Sequence, residues 1–136
     1  MKRIFAILLS AVIVLSSAVT AYASDCSTYT NDVNKTNTVF TISNSGSATV
    51  KNTYYGMNGA IKSAKIVTKI QKKVGIIWVN VDGCTWTDNT NATNYSKTYK
   101  AKLSSKGNYR AHVVFTVTGT NGKNDKMTKN VEKVYS

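Results

Sequence analysis

The side chains able to do chemistry are few and scattered. His112 is the sole histidine, Cys26 and Cys84 are the two cysteines, and the acids are Asp25, Asp32, Asp82, Asp88, Asp125 and Glu132. Acid–base or nucleophilic catalysis needs a poised base beside a nucleophile, or two carboxylates held at different pKa values. No two of these acids have a spacing that argues for such a pair. Most stand beside Gly, Asn or Thr, where a carboxylate serves turn chemistry. His112 falls on the outward side of its strand beside Arg110 and Thr116, the place of an ordinary surface histidine. Two cysteines and one histidine make a poor zinc set, and the Asp-rich calcium loop is missing. The sequence argues against an enzyme and implies no metal and no cofactor.

Charge is the larger signal. Lys and Arg number 18 against 6 acids, a formal net charge of +12. Lys62, Lys65, Lys69, Lys72 and Lys73 fill one window; Lys97, Lys100, Lys102, Lys106 and Arg110 fill another. On strands, Lys65, Lys69 and Lys73 share one face, and Lys100 and Lys102 share another. Such faces attract polyanions, and the residues that would do so are Lys65, Lys69, Lys73, Lys100, Lys102 and Arg110. The plainer use of the same lysines is to solvate a sheet and keep its edges from aggregating. No nucleic-acid motif accompanies them. Trp86 and Tyr55, beside polar loops, suit stacking on sugar rings; the competing use is core filling, which fits Trp78 better.

The compartment narrows the partners. Met1-Lys2-Arg3 precedes an apolar run from Ile4 to Leu15, and Ala21-Tyr22-Ala23 follows. This is the pattern of a helical secretory signal peptide cleaved between Ala23 and Ser24. The run is too short to span a bilayer, which takes about 20 residues, and no later run is long enough. The expected organisation is a signal at 1–23 and one secreted domain at 24–136. In an oxidising compartment Cys26 and Cys84 are candidates for one disulfide; the alternative is two free thiols packed as small apolar groups. For such a protein the nearby polyanions are wall polymers and anionic lipid headgroups.

The elements that must position these residues are strands. Leu103–Gly119 holds the longest alternation, with Tyr109, Ala111, Val113, Phe115 and Val117 on one side. Strands are also expected at Thr36–Ser43, Ser47–Tyr55, Ala64–Lys73, Ile76–Val81, Tyr95–Leu103 and Lys126–Tyr135. Ala64–Lys73 tolerates a helix, but its flanks are β-like and Gly75 offers a hairpin turn. Asp82-Gly83 turns the chain, Cys84–Trp86 extends it past a turn or bulge, and Asp88–Asn94 is a loop. About seven antiparallel strands, with no helix beyond the signal, read as an all-β sandwich or barrel.

Leu103-x-x-x-Gly107-x-Tyr109 resembles the tyrosine corner of immunoglobulin-like sandwiches, in which the tyrosine hydroxyl bonds back to the preceding backbone. The cysteine that follows two residues later in antibody domains is here Ala111. More loosely, Trp78 and Trp86 followed by Lys106-Gly107-x-Tyr109-Arg110 resemble small secreted immunoglobulin-like proteins of Gram-positive bacteria. That resemblance implies fold and export, and no catalytic residue.

The expectation is a non-enzymatic, secreted, cationic β-sandwich that associates with anionic cell-envelope polymers or a membrane surface. A secreted antibacterial, bacteriocin-like protein and a carbohydrate-binding module are the alternatives. Mass spectrometry of the exported protein is expected to find Ser24 at its N-terminus; a chain retaining residues 1–23 would refute the assignment.

Overall fold

The fold is known from a computed structural model, which describes residues 32–136. The expected signal peptide, its cleavage site and Cys26 lie outside the described residues. The rest forms seven strands: β1 (Val33–Ile42), β2 (Ser47–Gly56), β3 (Ile61–Val74), β4 (Ile77–Thr90), β5 (Asn94–Lys102), β6 (Gly107–Gly119) and β7 (Asn124–Tyr135). They pair antiparallel in a three-stranded sheet, β1-β2-β5, and a four-stranded sheet, β4-β3-β6-β7. The described residues are all-β, with the core between the two sheets.

The period-two patterns decide which side of each strand goes in. From β6, Tyr109, Ala111, Val113, Phe115 and Val117 are buried, and from β3, Ala64, Ile66, Thr68 and Ile70. Phe40, Ala48, Val50 and Tyr54 meet them from the smaller sheet. The residues of β3 therefore resolve as strand, sitting between β4 and β6. Placing one side chain in two on the core is what a strand does and a helix cannot.

Tyr109 is buried, and its hydroxyl donates to the Ser105 carbonyl at 2.6 Å. This is the return bond that a tyrosine corner requires. Gly107, two residues earlier, has φ 144°, a backbone conformation that side chains with a Cβ rarely adopt.

Two polar devices cross between the sheets. At the centre, Thr38 Oγ1 donates to Asn52 Oδ1 at 3.0 Å, and Asn52 Nδ2 donates to Thr68 Oγ1 at 2.7 Å. Asn52 and Thr68 are fully buried and stand on opposite sheets. Losing either partner would strand a polar group in the core. At the open edges of β4 and β5, Asp88 is a clasp. Its carboxylate accepts from Tyr95 at 2.5 Å, from Lys97 at 2.7 Å and from the Tyr99 hydroxyl. Tyr95 stacks on Tyr54 and Tyr99 on Trp86, with centroids 5.5 and 4.9 Å apart.

Asp88 thus lies within a strand and faces inward, where the sequence reading put a loop. The whole stretch from Asp82 to Thr90 belongs to β4. The reason is a wide bulge. Between the pairs Lys69–Thr85 and Gln71–Asn80, β3 advances two residues while β4 covers five. The chain absorbs the turn signal Asp82-Gly83, with Gly83 at φ 70°, and then resumes the same ladder.

Burial would raise the Asp88 carboxyl, but the hydrogen bonds from Lys97 and Tyr95 and the Lys97 charge outweigh it and hold it below its ordinary value. Tyr95 is pushed the other way, by burial and by its bond to Asp88. A depressed carboxyl stabilises the fold fully above its unfolded pKa, near 4, and loses that contribution as pH falls through the folded value. Urea unfolding from pH 7 to pH 2 is expected to show this loss. Asp88→Asn should be less stable by about 2 kcal/mol at pH 7, with a flatter acid limb; superimposable profiles would show that the clasp does not stabilise the fold.

Candidate functional site

The bulge also sorts the side chains of β4. An odd difference of three residues moves the strand's alternation to the other face. Past the bulge, Cys84, Trp86 and Asp88 point into the core; before it, Trp78 and Asn80 point out of the sheet. The two tryptophans therefore face opposite ways, Trp86 toward the core and Trp78 away from it. Trp86 is half-buried, packs on the core and lies against Tyr99. Trp78, the expected core residue, sits on the outer surface opposite Lys73. Tyr55, the other candidate for sugar stacking, is exposed on the outer face of the smaller sheet, beside Lys35 in register. The two rings are not brought together.

The outer face of the four-stranded sheet is a cationic platform. On β3, Lys65, Lys69 and Lys73 alternate outward with Val67 and Gln71. Neighbouring lysines of that row stand about 13 Å apart at ordinary strand rise. That exceeds the screening length of about 8 Å at physiological salt, so they do not strongly repel one another. On β6, Thr116, His112 and Arg110 lie opposite Lys65, Lys69 and Gln71. On β7, Lys126 extends the first of these rows and Glu132 the last. Glu132 is the one acid of this face among the described residues.

A hydrogen-bonded ladder fixes the end nearest β4. Arg110 Nε donates to Gln71 Oε1 at 2.7 Å, and Gln71 Nε2 donates to Asn80 Oδ1 at 2.8 Å. The guanidinium lies over the Trp78 ring, 4.6 Å from its centroid, and Lys73 Nζ stands 5.8 Å from the same centroid. A cation over an indole face is held by the ring quadrupole. Burial lowers the Arg110 guanidinium from its ordinary value, against the pull of Glu132, and it stays charged at any physiological pH. His112 Nδ1 donates to Asn130 Oδ1 at 2.8 Å, which orients the ring as part of the surface.

At the other end, Ser63, Lys65, Asn89, Thr90, Thr116 and Thr118 border a shallow cleft of about 570 Å³. It offers hydroxyl and amide groups beside one ammonium, a set that donates to phosphate and hydroxyl oxygens.

The six expected polyanion contacts are thus divided. Lys65, Lys69, Lys73 and Arg110 share the platform. Lys100 and Lys102 lie on the outer face of the opposite sheet, in register with Thr49 and Ser47, and the Lys102 ammonium donates to the Ser45 carbonyl.

No protein-family model, curated protein or solved structure matches the chain. Cys84 is buried and unpaired, so no disulfide is seen; Cys26, its expected partner, lies outside the described residues. Burial and then the nearby Asp82 raise the Cys84 thiol, which keeps it protonated and a poor nucleophile. Among the described residues no three His, Cys, Asp or Glu side chains gather as metal ligands. Sequence reasoning missed Lys126 and Trp78 as parts of the platform. The alternation that puts Met127 inward places Lys126 outward, but no sequence signal sets the size of the bulge.

The opposite facing of the two tryptophans is checkable in solution. Iodide, an anion drawn to the platform, should quench the single tryptophan of Trp86→Phe strongly and that of Trp78→Phe weakly. Equal quenching would refute the assignment of faces.

Proposed function

We propose that the protein is a non-enzymatic, secreted, cationic β-sandwich that associates with anionic cell-envelope polymers or surfaces. The observation that carries this reading is the platform itself. Lys65, Lys69, Lys73, Lys126 and Arg110 stand on one outer face against a single acid, Glu132. A polymer with one charge per repeat can lie across such a row and meet successive ammonium groups without any change in the protein, so little ordering cost offsets the attraction. The arginine, fixed by Gln71 and Trp78, offers its remaining N–H groups in a set orientation to phosphate oxygens.

We also read the sandwich as immunoglobulin-like. The order β1-β2-β5 corresponds to strands A-B-E of that fold and β3-β6-β7 to C-F-G, with the fourth strand paired to C in place of E. The Tyr109–Ser105 bond at the start of β6 supports the correspondence. Export rests on residues 1–23 and remains part of the proposal.

Binding to purified cell walls and to polyphosphate tests the function, with the salt dependence recorded. Each lysine near an anionic surface contributes about 1 kcal/mol, so Lys65→Ser/Lys69→Ser/Lys73→Ser should weaken binding roughly a hundredfold. Lys100→Ser/Lys102→Ser, on the opposite face, should have a much smaller effect. Equal losses from the two sets would show charge without a site. Absence of binding by the unaltered protein at low salt would refute the function.

A further inference from the structure

The β3–β4 hairpin carries apolar side chains where a hairpin has no structural use for them. Its turn is Gly75-Ile76, two residues between the paired Val74 and Ile77. Gly75 has φ 61°, and among the described residues none other than glycine has positive φ. Of the two turns favoured in tight hairpins, this pattern selects the one with glycine first, type II′. The second position of that turn accepts Ser, Asn or Thr, yet it holds Ile76, 94% exposed. Val74, Ile77 and Val79 are 55%, 58% and 43% exposed beside it. Single exposed apolar residues are common; a contiguous set is not.

The register explains the exposure. Val74, Ile77 and Val79 lie on the same side of the sheet as buried Ile70, through the pairs Val74–Ile77 and Lys72–Val79. Their exposure leaves this side of the hairpin largely uncovered by the smaller sheet. Beneath the hairpin is an open cleft of about 430 Å³, bordered by Val74, Val79, Val81, Lys72 and Lys102, with Asp82 the one acid. Lys72 Nζ donates to Ser105 Oγ at 2.6 Å, and Lys73 stands over Trp78 on the other side of the hairpin.

We propose that this hairpin is a membrane anchor. Val74, Ile76, Ile77 and Val79 enter the acyl boundary of an anionic bilayer, while Lys72 and Lys73 meet its headgroups. Charge selects this occupant over a second copy of the chain. Two copies joined by their tips would set two rings of lysines against each other, on a protein whose net charge is +12. An anionic lipid surface complements both the ammonium groups and the apolar tip, the combination that holds interfacial segments on membranes. The proposal rests on the anionic-surface reading and narrows it to lipid at this end of the molecule.

The test uses the chain as the cell delivers it, so that residues 1–23 are equally present or absent in every protein compared. Trp86→Phe leaves Trp78, at the neck of the hairpin, as the fluorescent reporter. The expected result is a blue shift of Trp78 with phosphatidylglycerol–phosphatidylcholine vesicles and none with phosphatidylcholine alone. Ile76→Ser/Ile77→Ser should bind the anionic vesicles at least tenfold more weakly while binding polyphosphate as before. Both positions are exposed, so unfolding midpoints should match; Ile76→Ser alone repeats the comparison if they do not. Unchanged vesicle binding by these variants overturns the anchor and leaves the cationic platform standing. Failure of the unaltered chain to bind either vesicles or polyphosphate overturns both. A dimer abolished by Ile76→Ser/Ile77→Ser overturns the anchor in favour of a second copy.

Discussion

The five-against-two bulge between Asn80 and Thr85 is the constraint on which the rest of the molecule depends. β4 is a single edge strand, but the bulge makes it two half-strands of opposite polarity. The half after it gives its alternate side chains to the core, and Asp88 can therefore reach Tyr95, Tyr99 and Lys97 across the gap between the sheets. The half before it turns Trp78 and Asn80 to the outer face, where Arg110 and Gln71 hold them. An even insertion would keep the alternation in phase. It would set Trp78 toward the core side and Val79 toward solvent on the lysine face, and the amphipathic hairpin would be lost.

The closure of the sandwich follows from the same feature. An edge strand is open along one side, and facing edges of two sheets are natural places for water to enter. Here that opening is filled by two stacked ring pairs, with the carboxylate of Asp88 ordering the hydroxyls above them. The buried Thr38–Asn52–Thr68 chain acts at the centre and the clasp acts at the rim. Both are polar links between sheets whose apolar faces would otherwise slide. Sheet register is thus specified by hydrogen bonds at two depths, and the apolar side chains supply the bulk of the driving force.

What was legible in the sequence is what depends on period two alone. The alternation through Tyr109–Val117 placed five core residues on one strand; Ala64–Lys73 tolerates a helix by its own pattern, and only its β-like flanks and the turn at Gly75 mark it as a strand. Gly107 and Tyr109 stood at the spacing of a corner, and the hydroxyl bond is where that spacing puts it. The β4 region was not legible. Asp82-Gly83 is a turn signal, and composition does not distinguish a turn that ends a strand from one absorbed as a bulge. That ambiguity hid the place of Asp88 in the clasp and the turning of Trp78 to the outer face. Asn52 was equally hidden. A lone polar residue in a strand reads as a flaw in the alternation until its partners, Thr38 and Thr68, are known from opposite sheets.

The charge pattern was legible only in part, for a geometrical reason. Lys65, Lys69 and Lys73 lie on one strand, so their common face follows from spacing. Whether Lys100 and Lys102 join them depends on which sheet β5 enters, and β5 pairs with β2 in the other sheet. The result is a sandwich cationic on both outer faces but differently equipped on each. One face adds a guanidinium locked over an indole and an apolar hairpin at its end; the other adds exposed Tyr55 and Val39. Net charge alone would draw the protein to any polyanion in any orientation. A fixed arginine and an oriented apolar tip both lie toward the β3–β4 end, and they give the molecule a preferred end with which to meet a surface.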